Sequence, residues 1–306
     1  MPDLLINGVI TDAMRAALEP YFTFVDAAHP SVEYALVGGH IGLSASDMED
    51  MPKLKVISNY GVGYDGIDAV GAAKRGIVVT HTPNVLNGEV ANTTLLLLLA
   101  CYRELLRDDA WARSGNWETH GEAPLTRSPD GAKIGLLGMG RIGQEIARRL
   151  AIFNPEISYH TRSPKDVPYT YEADLVDLAR KVDCLVVITP GGPATKHLVN
   201  RTVLEALGPQ GTLINVARGS VVDEAALIAC LTEGKLGWAG LDVFEREPTV
   251  PDALKSMSNV VMLPHAGSAT VETRASMGQL AVDNLIDHHK HGTVRTPVHE
   301  CAHLTG

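Results

Sequence analysis

The stretch KIGLLGMGRIGQEIARRL, Lys133 to Leu150, constrains the fold more than any other part of the chain. An aliphatic run leads directly into Gly138, Gly140 and Gly143, and these lead directly into a segment with helical spacing of apolar residues. Glycines at this spacing permit a tight turn and close backbone approach, while the helix start offers unpaired N–H groups and a positive dipole end. A strand, turn and helix in this order predict a parallel α/β domain that holds a dinucleotide pyrophosphate at the turn, Gly138, Met139, Gly140, Arg141, Ile142 and Gly143.

The same rhythm runs through the rest of the sequence. Short apolar runs alternate with helix-like segments from Leu4 to Pro83, with LLI, YALVGG, KVISNYG and IVVTHTP as strands, and AVGAAKRG as a helix closing at Gly76. A long helical segment, near Glu89 to Gly115, leads out of this series. A second series starts at Lys133 and continues through CLVVITP, GTLINVARG, WAGLDVF and NVVMLPH, continuous aliphatic runs suited to a parallel sheet covered on both faces. SATVETRASMGQLAVDNLIDHHKHG then reads as one more long helix, and the tail TVRTPVHECAHLTG, too short to fold alone, is expected to return to the first series. The chain therefore divides into a discontinuous domain, 1–98 plus 284–306, and an inserted dinucleotide domain, 99–283.

Composition narrows the partners. At 306 residues the chain exceeds a single core, and 26 Lys+Arg against 36 Asp+Glu leave a net charge of −10 without any long basic run. Nucleic acid and anionic membrane surfaces are poor partners for such a chain. TTLLLLLAC is too short to span a bilayer and reads as a buried helix, and the N-terminus lacks the basic-then-apolar pattern of a secretory leader. Cys101, Cys184, Cys230 and Cys301 are far apart and lack metal-ligand spacing. Reduced thiols and a cytoplasmic location are the expectation, with no metal. His288, His289 and His291 close a helix, where the dipole favours them, and they are not read as a metal site.

The form of the dinucleotide is written in ISYHTRSPK. A ribose-selecting acid is expected about 20 residues beyond the glycine turn, and His160 stands there, followed by Thr161, Arg162 and Ser163. A guanidinium and two hydroxyls favour a 2′-phosphate, so NADPH is expected over NADH, with a solvated Arg162 as the alternative. Three strand-end segments of the second series also carry polar groups: Arg218 in NVARGSVVDE, Glu247 in LDVFEREP and His265 in LPHAGSAT. Ligand crevices of open parallel sheets lie beyond these ends.

GMGRIG, NVARGSVVDE, GLDVFEREP and LPHAGSATVETR, in this order and spacing, resemble the D-2-hydroxyacid dehydrogenase family, and NYGVGYDGID with TPNVLNGEVA resembles its substrate domain. Within the family, ISYHTRSPK and VFEREPTVP are most similar to the NADPH-dependent hydroxypyruvate and hydroxyphenylpyruvate reductases. The resemblance covers nearly the whole chain. It implies two doubly wound parallel-sheet α/β domains, a flavodoxin-like substrate domain and an inserted Rossmann cofactor domain, in a homodimer. It also implies reduction of a small anionic 2-oxoacid such as hydroxypyruvate, glyoxylate or an aryl pyruvate. Arg218 would hold the carboxylate and polarise the carbonyl, His265 would donate the proton, and Glu247 would favour and orient the imidazolium.

Further implied contacts are Val62 and Gly63 to the substrate carboxylate, Asp242 to the nicotinamide carboxamide, and Thr189, Pro190, Thr195, Val216, Ala217, His265 and Gly267 to the cofactor. One departure touches these. After VVIT the family usually has a Leu-Thr pair following proline, whereas this chain has Gly191 and Gly192. Trp117 is either a dimer contact, as the resemblance implies, or a core residue. Arg246 reads as a solvated neighbour of Glu247, and His81, His120 and His197 carry no assignment. Competing readings are an NAD-linked dehydrogenase, disfavoured by the missing acid at His160, and a dinucleotide-sensing binding protein, disfavoured by the intact Arg218, Glu247 and His265 set. Formate dehydrogenase, of similar fold, has Gln where this chain has Glu247.

Overall fold

A computed structural model describes residues 1–38 and 41–304. Gly39 and His40, within the stretch GGHIGLSASD expected to shape substrate choice, lie outside the described residues, as do the last two residues of the tail. The described chain forms two compact units, Met1–Leu86 with the segment from Thr270 onward, and Asn87–Ala269.

The first unit holds five strands, β1 (Asp3–Asn7), β2 (Thr23–Val25), β3 (Val32–Gly38), β4 (Val56–Tyr60) and β5 (Val78–Thr80), in the order β2-β1-β3-β4-β5. Every pairing is parallel. This is the flavodoxin-like order. All five residues of β4 are buried, as a strand covered on both faces requires. The helix Val271–His291 closes one face: Ser58 Oγ donates to the Ala281 carbonyl at 2.9 Å, and Tyr60 Oη donates to the Arg274 carbonyl at 2.9 Å. Thr270 caps its start by accepting from the Thr273 amide, and Gly292, at φ 72°, ends it. The tail returns to this unit, with the Val298 amide donating to the Val79 carbonyl at 2.9 Å.

The second unit holds β6 (Lys133–Leu137), β7 (Glu156–His160), β8 (Thr170–Tyr171), β9 (Cys184–Val187), β10 (Thr212–Asn215), β11 (Trp238–Leu241) and β12 (Val260–Met262). Their order is β12-β11-β10-β9-β6-β7-β8, again all parallel. The chain builds outward from β6 through β7 and β8, then returns to the other side of β6 at β9. That reversal is the Rossmann switch point, and it opens a crevice at the carboxyl ends of β6 and β9. Leu137, Leu185, Val187, Leu204, Leu213 and Leu241 belong to the aliphatic core on one side of the sheet.

Three expectations are corrected. The division falls at Leu86/Asn87 and Ala269/Thr270 rather than at 98/99 and 283/284. Both long helices sit wholly with one unit: Asn87–Tyr102 packs its Leu97 and Cys101 against Gly240 of β11, while Val271–His291 covers β4. Second, the segment from Glu89 to Gly115 is not one helix. It breaks after Tyr102, where Glu104 takes a left-handed φ of 44°, and resumes as Leu105–Arg113 and Asn116–His120. Third, Trp117 is 66% exposed and is not a core residue.

The four cysteines are buried and unpaired. His288 and His289 pack on aromatic rings, with Tyr34 at 5.7 Å from His288 and Phe22 at 5.3 Å from His289. Among the described residues no helix is long and apolar enough to cross a membrane, and no group of three or more His, Cys, Asp or Glu is placed to hold a metal ion.

Candidate active site

The glycine turn connects β6 to the helix Arg141–Leu150, and its three glycines do different work. Gly138 has φ +114°, and a Cβ there would sit 2.5 Å from the Ile188 carbonyl oxygen. At Gly143 a Cβ would collide with the Gly138 carbonyl oxygen. Both positions exclude side chains for reasons internal to the fold. Gly140 differs: it is exposed, and no heavy atom lies within 4 Å of the place a Cβ would take. That open space stands at the start of a ten-residue helix whose first turn has no side-chain cap, so its amides and dipole remain available to an anion. The geometry fits a pyrophosphate. Met139 is 1% exposed, so its share in this cradle is its backbone.

The end of β7 lies beside the turn, because the Gly138 amide donates to the His160 carbonyl at 3.0 Å. Beyond it, Thr161 Oγ1 donates to the Ser163 carbonyl at 2.7 Å and Tyr171 Oη donates to the Thr161 carbonyl at 3.1 Å, which folds Thr161, Arg162 and Ser163 into a compact corner. Arg162 and Ser163 are exposed there. None of Thr161, Arg162 and Ser163 is an acid, so a 2′-phosphate at these three residues would meet a cation rather than a carboxylate. Across the switch point, Thr195 Oγ1 donates to the Pro190 carbonyl at 2.7 Å, closing the loop that follows Thr189 and contains Gly191 and Gly192.

Arg218, Glu247 and His265 leave the sheet on three adjacent strands. Arg218 follows β10, and its Nη1 donates to the Ala217 carbonyl at 2.8 Å. Asn215 braces this turn, its amide nitrogen donating to the Arg218 carbonyl at 3.1 Å and its oxygen accepting from the Ala217 amide at 3.1 Å. Val216 and Ala217 are 7% and 4% exposed, so only their backbone can face a ligand. At Gly219 a Cβ would overlap the Phe244 backbone, and the Arg218 turn therefore lies directly on the loop that carries Glu247. Glu247 Oε1 accepts from the Phe244 amide at 2.9 Å, and its Oε2 lies 2.8 Å from His265 Nδ1. A carboxylate oxygen only accepts, so Nδ1 carries a proton and Nε2 is the atom that can deliver one.

His265 itself has a left-handed φ of 51°. Asp242 holds it there, its carbonyl accepting from the His265 amide at 2.8 Å and its carboxylate accepting from the amides of Ala266 and Gly267 at 2.6 and 2.9 Å. Asp242 is 2% exposed, and burial pushes its carboxyl above the ordinary carboxylate range, against the opposing pull of these amides and of His265. Gly267 has no room for a side chain, since a Cβ would lie 2.8 Å from Asp242 Oδ2. Arg246 is exposed.

In the first unit, Val62 and Gly63 lie in the turn after β4. Asn59 donates to the carbonyls of Gly61 and Gly63 at 2.9 Å each, and His81 Nδ1–H donates to the Val62 carbonyl at 2.9 Å. Asn59 and His81 were not legible as braces, because both act on backbone that only the folded turn brings to them.

A glycine cradle at a Rossmann switch point, with a guanidinium and a carboxylate-bound imidazole at the neighbouring strand ends, defines a dinucleotide-dependent oxidoreductase. Residues 95–267 match the NAD-binding domain of D-isomer-specific 2-hydroxyacid dehydrogenases, and the chain belongs to that family. It is 45% identical over 266 residues, 86% of this chain and 85% of the relative, to hydroxyphenylpyruvate reductase of Plectranthus scutellarioides. It is 47% identical, over the same shares of the two chains, to glyoxylate/hydroxypyruvate reductase A of Arabidopsis thaliana. A crystal structure of NADPH-dependent glyoxylate/hydroxypyruvate reductase from Sinorhizobium meliloti, in complex with NADP and malonate, superposes with a TM-score of 0.93 at 46% identity, covering 98% of this chain and 97% of that one.

Proposed function

We propose that the protein is an NADPH-dependent reductase of small 2-oxoacids, hydroxypyruvate, glyoxylate or an aryl pyruvate, and forms the D-2-hydroxyacid. The observation that carries the reading is the 2.8 Å contact between Glu247 Oε2 and His265 Nδ1, beside a guanidinium on the adjacent strand end. Bound NADPH supplies the two electrons and the hydrogen that reach C2 of the oxoacid. Arg218 holds the substrate carboxylate and polarises the carbonyl with its rigid fork of donors. His265 delivers a proton from Nε2 to the carbonyl oxygen, a general-acid role worth about 10²- to 10⁴-fold. Glu247 stabilises the imidazolium before transfer and keeps the ring oriented. Asp242 fixes the backbone of His265, and each of its oxygens retains a lone pair for the nicotinamide carboxamide. The amides of Val62 and Gly63 bind the substrate carboxylate in the first unit, the substrate domain, and the second unit is the cofactor domain.

Arg162, with Thr161 and Ser163, selects the 2′-phosphate. The enzyme acts in the cytoplasm, where four unpaired cysteines suit a reducing compartment. It works as a homodimer: Leu105, Leu106, Trp117 and Leu125 expose 51–94% of their surface on the segment after Tyr102, and light scattering would give the mass. The deciding experiment is initial rates with NADPH and with NADH on hydroxypyruvate, glyoxylate and phenylpyruvate. NADPH-dependent turnover of at least one acid is expected; cofactor binding with no turnover of any of them overturns the reading.

A further inference from the structure

His197 has no part in the chemistry just described, yet it stands where three loops of the site meet. It directly follows the loop that runs from Thr189 through the turn Pro193–Thr195. Its amide donates to the Ser220 carbonyl at 2.8 Å, inside the turn Gly219–Val221 that follows Arg218. Its ring Nε2 lies 2.9 Å from Glu245 Oε1, two residues before Glu247. The backbone of His197 is left-handed, with φ 51°, a conformation that a residue with a Cβ seldom takes. Such a residue stays in place only when its surroundings over-determine it.

The backbone at Glu245 rests on the Gly219 turn, while its other side borders open space. A cavity of about 330 Å³ borders its loop, lined by Glu224, Ile228, Glu245, Arg246, Thr249 and Pro251. Two polar contacts hold Glu245: the Glu224 carboxylate accepts from the Glu245 amide at 3.2 Å, and the imidazole N–H of His197 donates to the Glu245 carboxylate. The neighbouring Phe244 amide is the donor to Glu247 Oε1, so any shift of this loop moves the carboxylate that orients His265.

We propose that His197 is a positioning residue, which through Glu245 sets the loop that aims Glu247 at His265. The proposal rests on the assignment of Glu247 and His265 made above. It separates the two attachments of His197. The backbone bond to Ser220 survives any side-chain change, whereas the link to Glu245 is made by the ring alone. Removing the ring should therefore disturb the proton-delivering pair and spare the cofactor cradle.

The test uses the full chain carrying His197→Ala, Glu245→Ala, both together, or His197→Gln, which keeps an N–H donor. Turnover, NADPH affinity, melting temperature and the low-field proton resonance of His265 Nδ1–H, assigned by its loss in His265→Gln, are measured for each. Either alanine variant should lower kcat about ten- to a hundredfold, the scale of a displaced reacting group, and shift the resonance. NADPH affinity should stay within about threefold and melting within about 2 °C. The double variant should be no worse than either single one, because both break the same link, and His197→Gln should recover most of the loss. An unmoved resonance with wild-type kcat in the alanine variants, or additive losses in the double variant, overturns the proposal. A shifted resonance in a protein whose wild type reduces no 2-oxoacid would instead retain His197 as a positioning residue and overturn the proposed reaction.

Discussion

Gly140→Ala should separate binding from folding at the glycine turn. The backbone at Gly140, φ −81° and ψ −164°, is open to any L-residue, and nothing lies within 4 Å of the new methyl group. Alanine restricts the unfolded chain, which stabilises by about 0.4–1 kcal/mol. It is also a poorer N-cap than glycine, by roughly 0.5–1 kcal/mol. The two effects nearly cancel, so without cofactor the melting temperature should move by less than about 2–4 °C.

The methyl group nevertheless occupies the space through which a pyrophosphate approaches the first-turn amides. Overpacking a fitted site costs about 1–3 kcal/mol, which weakens NADPH binding roughly 5- to 150-fold. Gly143→Ala should behave in the opposite way, because its methyl group collides with the Gly138 carbonyl oxygen and the backbone must shift whether or not a ligand is bound. Its loss of about 1–3 kcal/mol should register in cofactor-free melting. Fluorescence titration with NADPH, beside thermal unfolding without it, reads both quantities. A Gly140→Ala protein that binds NADPH as tightly as wild type would refute the assignment of the cradle.

Arg162→Ala should reduce the preference for NADPH over NADH by about tenfold or more, the worth of one charge-assisted contact, with NADH kinetics little changed; an unaltered ratio would make Arg162 a solvated bystander. His265→Gln should lower kcat by about 10²- to 10⁴-fold while NADPH affinity stays near wild type, and equal turnover would remove the proposed proton donor. His288 supplies a pH dependence of stability. Burial, with the charges of Lys55 and His289, holds its pKa below the ordinary 6.5, so the unfolded chain takes the proton first. The stability it contributes is present above about pH 6.5 and falls as pH drops through that value toward the folded pKa. His288→Gln should flatten the melting temperature between about pH 7 and 5, and a slope as steep as wild type would contradict the lowered pKa of this half-buried ring.

The fold was legible where a local pattern and its burial coincide. The aliphatic runs at Ile134, Leu185, Leu213 and Ala239 are strands because both faces of a parallel sheet exclude water, and that demand is written residue by residue. The two-residue strand β8 carries no periodicity. It exists because Ser158 and Tyr159 of β7 pair with Thr170 and Tyr171, a tertiary cause. The break at Glu104 was equally hidden, since CYRELLRDD has good helical composition. There the Glu104 carboxylate pairs with Arg107 at 2.6 Å while its backbone turns left-handed. Within the site, Arg218, Glu247 and His265 were readable as polar residues at strand ends, whereas their braces were not. Asp242, read as a cofactor contact, has a second task as a brace, accepting from the amides of Ala266 and Gly267, and backbone amides have no residue code.

The convergence of Arg218, Glu247 and His265 follows from the order of strands more than from any contact between the side chains themselves. β10, β11 and β12 are successive neighbours, in a register that sets Asn215 beside Leu241 and Leu241 beside Met262. Arg218 and His265 each lie three residues past those positions, so they leave the sheet at one level, two strand spacings or about 10 Å apart. Only the middle strand can bridge that interval. Its loop reaches sideways to place Glu247 on His265, and the missing Cβ of Gly219 lets the Arg218 turn rest on the Phe244 backbone from the other side. A side chain at Gly219 would push the middle loop away from β10 and spoil the set without touching any of its three members. The chemistry at this edge is therefore specified as much by an absent methyl group as by the charged residues.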